Sequence, residues 1–225
     1  MSAAPLPGLP QALVFDMDGL LLDSERAILG CFRQAAHELG LQIAPAQWLG
    51  MVGHGEASSR AMLDDWVGAA VAAALLARAR ALYHQRALRG IPLRPGVVEL
   101  LDWLDARRLP RAIATSTRRE LAVPKLQAAG LLHRFDALAT SSDVARPKPA
   151  PDVYLLAARL LAVAPAGCLV LEDSPTGVRA ALAAGMTPVQ VPDLVAPDAQ
   201  VRALGHRIVA SLDEVRALLQ ALADA

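Results

Sequence analysis

An apolar run, Leu13-Val14-Phe15, ends in two carboxylates one residue apart, Asp16-Met17-Asp18, followed at once by Gly19. In an extended strand, side chains i and i+2 share a face, so Asp16 and Asp18 would point the same way from the strand end, roughly 6 to 7 Å apart. Ionised together about 5 Å apart at an effective dielectric near 20, they would repel by roughly 3 kcal/mol. A cation, a shared proton or full solvation must offset that. Three further polar groups stand where apolar strand-like runs end: Thr115-Ser116-Thr117, Arg146-Pro147-Lys148-Pro149 and Glu172-Asp173-Ser174. Together they suit phosphoryl transfer. One carboxylate can attack phosphorus and carry an aspartyl phosphate, and a second can protonate the leaving oxygen and then take a proton from water. Hydroxyls and backbone amides at a strand-to-helix turn suit phosphate oxygens. A lysine neutralises charge, and a carboxylate cluster suits magnesium, a hard ion that prefers oxygen.

Each group also has a plainer reading. Thr115 to Thr117 could cap the next helix, Glu172-Asp173 could be an exposed turn, and Lys148 could be a surface lysine. The chain uses arginine almost everywhere, however, and its only lysines are Lys125 and Lys148. Retention of Lys148 between two prolines favours a role that needs an ammonium. All four groups falling at strand ends favours a site over four coincidences.

The elements that must position these groups are α/β. Strands are expected at 13–15, 111–114, 137–139, 168–171, 188–191 and 208–209, alternating with helices at 97–106, 120–129, 151–161, 175–184 and 212–222. That alternation predicts a Rossmann-like, doubly wound parallel sheet covered on both faces. In such a sheet ligands bind beyond the carboxyl ends of the strands, where the polar groups gather. Pro124 falls inside one predicted helix and marks a kink or a late start. Between residues 24 and 92 no strand pattern appears. A helix capped by Asp23 or Ser24 runs to Gly40, and further helices follow from Pro45, from 56 to 66 and from 69 to 89. This predicts a small all-helical domain, 24–92, inserted after strand one into a core of 1–23 and 93–225.

Composition narrows the function classes. The 22 basic and 22 acidic residues cancel, and 3 Trp, 2 Tyr and 3 Phe offer no base-stacking platform, so nucleic acid is not an expected partner. Cys31 and Cys168 are far apart and outside any Cys-x-x-Cys pair, which predicts reduced core residues. The opening residues have no basic leader region, and the longest apolar run, 67–77, is too short to span a bilayer. The expectation is a cytoplasmic protein, a monomer or weak dimer, acting on a small molecule.

The motifs FDMDGLLLDSE, IATST, RPKPAPDVY and LVLEDSPTGVRAALAAGM occur in that order between Ala12 and Asp193. The sequence thereby resembles the haloacid dehalogenase superfamily, in the subgroup with a small helical cap that includes sugar-phosphate phosphatases and β-phosphoglucomutases. The resemblance implies Asp16 as nucleophile, Asp18 as general acid/base, and Thr115 with the Ser116 amide as phosphate binders. It implies Lys148 as the orienting cation, and Asp173 with Glu172 as Mg2+ ligands beside Asp16 and the Asp18 carbonyl. The mutases carry a histidine in the first cap helix. Here Arg26, Ala27, Ile28 and Leu29 occupy that region and His37 lies over two turns further on, which favours net hydrolysis. The expected activity is magnesium-dependent hydrolysis of a small monoester, a sugar phosphate or nucleoside monophosphate. His54, Glu56 and Arg60, around the Gly53–Gly55 break, are the candidate readers of its leaving group. The alternatives are a phosphomutase, a non-enzymatic phosphate sensor, and a phosphoacceptor switch.

Overall fold

The computed structural model describes residues 6, 8–51 and 56–224, with 56 and 57 described by their backbone only. Six parallel strands form one sheet: β1 (Ala12–Phe15), β2 (Arg111–Ala114), β3 (Ala137–Ala139), β4 (Cys168–Glu172), β5 (Thr187–Gln190) and β6 (Arg207–Ile208), in the spatial order β3-β2-β1-β4-β5-β6. β1 lies between β2 and β4, with Phe15 opposite Ile113 on one side and Leu171 on the other. Successive residues of β1 enter different cores. Leu13 and Phe15 pack with Leu100, Leu104, Leu126 and Leu219, whereas Ala12 and Val14 pack with Tyr154, Ala157 and Ala180. Two buried faces explain why ALVF does not alternate.

The first of these cores is covered by α5 (Val97–Arg107), α6 (Arg119–Ala128) and α10 (Leu212–Ala223), and the second by α7 (Asp152–Leu160) and α8 (Pro175–Ala183). Full burial of a side chain such as Leu13 or Phe15 contributes roughly 1.5–3 kcal/mol. Pro124 does not delay α6, which runs through it from Arg119. The proline removes only the backbone bond to the carbonyl of Glu120, in the exposed first turn. The four-residue α9 (Ala199–Arg202) is too short to show a period, and Asp198 caps it by accepting from the Val201 amide.

A third cluster belongs to α1 (Ser24–Glu38), α2 (Pro45–Gly50), α3 (Glu56–Val67) and α4 (Ala69–Arg89), built on Phe32, Ala35, Trp48, Leu63, Leu75 and Ala79. The Trp48 ring sits 6.0 Å from Phe32 and meets Trp66 edge-on at 6.3 Å. These helices therefore bury an apolar centre of their own. Asp23 stands at the N-cap of α1 without a side-chain capping bond and Ser24 is a buried helical residue, so neither caps as expected. Asp23 instead accepts from Arg26 at 2.9 Å. The two passages of chain between sheet and inserted helices run side by side, with the Asp23 amide on the Pro92 carbonyl and the Arg94 amide on that of Leu21. Asp193, in the loop after β5, accepts from Arg26 at 2.6 Å and from Arg94.

Cys31 and Cys168 are buried free thiols, as expected. Among the described residues, no helix is long and apolar enough to cross a membrane.

Candidate active site

The strand order reverses direction between β1 and β4, which opens a crevice beyond their carboxyl ends. Asp16 follows β1 directly, Glu172 ends β4, and Thr115 follows β2. Lys148 arrives between β3 and α7 and is almost wholly buried. Its ammonium uses its three protons on three acceptors: Asp16 Oδ1 at 2.6 Å, Glu172 Oε1 at 2.7 Å and the Ala114 carbonyl at 3.0 Å. Burial alone would favour the neutral amine, but the facing carboxylates of Asp16 and Glu172 raise its pKa and keep it charged.

The sequence reading puts Glu172 among the magnesium ligands, but here protein donors already engage both of its oxygens. Besides Lys148, the Tyr154 hydroxyl donates to Oε1 at 2.7 Å, and the Ser174 amide and hydroxyl each donate to Oε2 at 2.9 Å. These partners hold its pKa low although the group is fully buried. Such a carboxylate suits an anchor for Lys148 better than a metal ligand. Gly177 in α8 completes its wall, since a Cβ there would fall inside the carboxylate. Gly177→Ala is therefore expected to destabilise by about 1–3 kcal/mol through overpacking. That lowers the unfolding midpoint by several degrees, at about 2–4 °C per kcal/mol for a chain of this size. An unchanged midpoint in calorimetry would contradict the packing described.

The second aspartate has its own lysine. Lys125 Nζ donates to Asp18 Oδ1 at 2.8 Å, and the Thr117 hydroxyl donates to Oδ2 at 2.6 Å. Burial would raise the Asp18 pKa, but Lys125 first and Thr117 second bring it below the ordinary value. Thr117 is itself set by its amide, which donates to the buried Thr115 hydroxyl at 3.0 Å. The triplet 115–117 is thus a turn and not a helix cap: Arg118 holds the N-cap position of α6, and the Arg119 amide takes Ser142 Oγ from another loop. Lys125 and Tyr154 were not foreseen as site residues, and Thr117 was expected only as part of the 115–117 hydroxyl group, not as a partner of Asp18. The one signal in the sequence was that Lys125 is half of the chain's lysine content.

Asp16 and Asp173 lack comparable compensation. Asp16 is pushed up to about 7 by burial, with Lys148 opposing and Glu172 and Asp18 adding to the rise. Asp173 is raised well above the usual carboxylate range by burial and by Glu172, Asp16 and Glu25, and among the described residues no side-chain or backbone donor is paired with its carboxylate. Gly19, at φ +83, lets Asp173 come close, because a Cβ there would collide with its carboxylate. Two oxygen-bearing groups short of positive charge fit a hard divalent cation. Among the described residues, no three His, Cys, Asp or Glu side chains form a ready cage. The fit is accordingly to an ion that takes part of its shell from backbone, water and phosphate, as magnesium does.

Asp16, Asp18, Thr115, Ser116, Lys148 and Asp173 line one cavity of about 300 Å³, walled also by Glu25 and Asp193. A second cavity, of about 520 Å³, lies between α4 and α6, and Ser116 lines both. Arg60 is not brought to either cavity; it is exposed on α3, its Nε 3.7 Å from Asp64. His54 and the Glu56 side chain lie outside the described residues.

A model of the haloacid dehalogenase-like hydrolases matches residues 10–185. The chain is 36% identical over 177 residues to hexitol phosphatase A of Escherichia coli (strain K12), covering 78% of this chain and 80% of that one. It is 32% identical over 180 residues to the fructose-1-phosphate phosphatase YqaB of the same organism, covering 80% and 95%. A solved HAD-family hydrolase from Deinococcus radiodurans R1, with bound phosphate and sodium, is similar at a TM-score of 0.80 and 31% identity, covering 96% of this chain and 97% of that one.

Proposed function

Because the chain belongs to the haloacid dehalogenase-like hydrolases, we propose that it is a magnesium-dependent phosphatase that hydrolyses a small phosphate monoester, of sugar-phosphate or nucleoside-monophosphate type, through an aspartyl phosphate on Asp16. The observation that carries this reading is the inequality of the two aspartates: Asp16 rests on Lys148, which Glu172 anchors, while Asp18 rests on Lys125 and Thr117. The named phosphatase relatives favour a phosphorylated sugar or polyol as substrate.

With Oδ1 held by Lys148, Asp16 presents Oδ2 to phosphorus. The Asp16–phosphorus bond forms as the ester bond breaks, and Asp18 passes a proton to the departing oxygen. Water then attacks phosphorus, its proton goes to Asp18, and Asp16 is released. The Thr115 hydroxyl and the Ser116 amide hold the phosphoryl oxygens in both steps. Asp16, Asp173 and the Asp18 carbonyl would hold the magnesium ion, which when bound screens the phosphate charge and helps place it. Asp18 as placed favours the ionised form that the second step needs, and the proton that water leaves on it there is the one it gives to the leaving oxygen in the next turnover.

We read 24–92 as a cap that closes over this crevice and excludes water. Of its candidate readers, Arg60 would have to leave Asp64 to reach the ester. The absence of a mutase-like histidine supports hydrolysis over transfer, and Arg26, near the expected position, is engaged with Asp23 and Asp193.

The test is phosphate release from a panel of sugar, polyol and nucleoside monophosphates, with magnesium and with EDTA. Release on at least one ester that disappears with EDTA is expected. Saturable binding without release would indicate a sensor, and isomerised sugar phosphate without free phosphate would indicate a mutase.

A further inference from the structure

We propose that Lys125 is a positioning residue for Asp18 and that Tyr83 ties its grip to the inserted helices; this rests on the phosphatase reading above. Lys125 projects from α6 with only 9% of its side chain exposed. Its ammonium has an ionic partner on one side, Asp18 at 2.8 Å, and an aromatic one on the other, the face of Tyr83 in α4, 4.9 Å from the ring centroid. With Thr117 on the second oxygen, the Asp18 carboxylate is held at both ends by the β2–α6 segment, which fixes its plane.

The two lysines of the chain are held differently. Lys148 is locked between two carboxylates and a carbonyl, and the ring beside it, Tyr154 at 4.7 Å from the centroid, belongs to α7 against the sheet itself. Lys125 has a single carboxylate, and its other neighbour is a ring carried by the inserted helices. The ammonium also donates toward the Tyr83 hydroxyl, so α4 holds it by a polar contact as well as by the ring face. Any shift of α4 against α6 therefore moves the ammonium and, with it, the carboxylate that must meet the leaving oxygen. A purely structural ion pair between the β1 loop and α6 would predict no dependence on the leaving group.

The experiment compares kcat/KM, which reports steps up to the aspartyl phosphate, for 4-nitrophenyl phosphate and for the best alkyl monoester of the panel. The aryl group leaves as a stabilised phenolate with little need of a proton, whereas the alkyl group needs one. Lys125→Met is expected to lower kcat/KM on the alkyl ester by at least about tenfold more than on the aryl ester. Tyr83→Leu should act in the same direction more weakly, the combined variant should be no worse than Lys125→Met alone, and Lys125→Arg should restore part of the alkyl activity. Equal losses on both esters, no loss, or additive effects of the two substitutions would overturn the positioning role while leaving the phosphatase reading intact. If Lys125→Met does not fold, Tyr83→Leu and Lys125→Arg carry the same comparison. A wild type inactive on every ester would instead remove the phosphatase reading, and this role with it.

Discussion

Asp16→Asn is expected to lower phosphate release by about 10⁴-fold or more on every ester the wild type hydrolyses, the scale seen when a catalytic nucleophile is removed. The exchange is nearly isosteric but replaces an anionic oxygen with an amide that attacks phosphorus poorly. Folding should survive, because Lys148 keeps Glu172 and the Ala114 carbonyl as partners. Loss of the Asp16 charge also relieves its repulsion with Glu172 and Asp173. The measurement is phosphate release together with mass spectrometry of acid-quenched enzyme, which should show a phosphorylated wild type and an unmodified variant. Equal activity of the two would remove Asp16 as the nucleophile.

Asp18→Asn should be less complete and more selective. General acid/base catalysis contributes about 10²–10⁴-fold, so turnover on alkyl esters should drop by at least about a hundredfold. Magnesium binding should persist, because the exchange leaves the Asp18 carbonyl and the carboxylates of Asp16 and Asp173 in place. Titration calorimetry with magnesium separates the two effects. A near-normal rate would refute the proton-transfer role, and lost metal binding with lost rate would make Asp18 a ligand through its side chain.

The fold was legible because its information is local. Blocks such as ALVF and CLVL are long enough to mark buried strands, and each is followed by polar residues that have no place in a core. The rim could be read for the same reason, since Asp16, Thr115 and Asp173 sit just after strand ends and Lys148 in the loop between β3 and α7. The partners of the rim were hidden because they arrive from far along the chain. Lys125 reaches Asp18 across 107 residues, and a lysine within an alanine- and leucine-bearing helix reads as solvated until α4 is laid over it. Likewise nothing in Glu172-Asp173 says which carboxylate is already occupied. That depends on Tyr154 and Ser174 and on the missing Cβ of Gly177, which meet only in the folded chain. Pro124 did not mark a late start, because its cost to a helix depends on which carbonyl loses its donor.

Asp193 sits in the loop after β5, yet it takes Arg26 from the outgoing passage of chain and Arg94 from the returning one. The inserted helices, which bring an apolar centre of their own, are thus held at this carboxylate as well as by Tyr83 on Lys125 and by the paired chain passages. On the cap reading, their sequence could drift toward new esters without disturbing Asp16, Lys148 or Glu172, provided Arg26 still shares the Asp193 carboxylate with Arg94 and Tyr83 still meets Lys125.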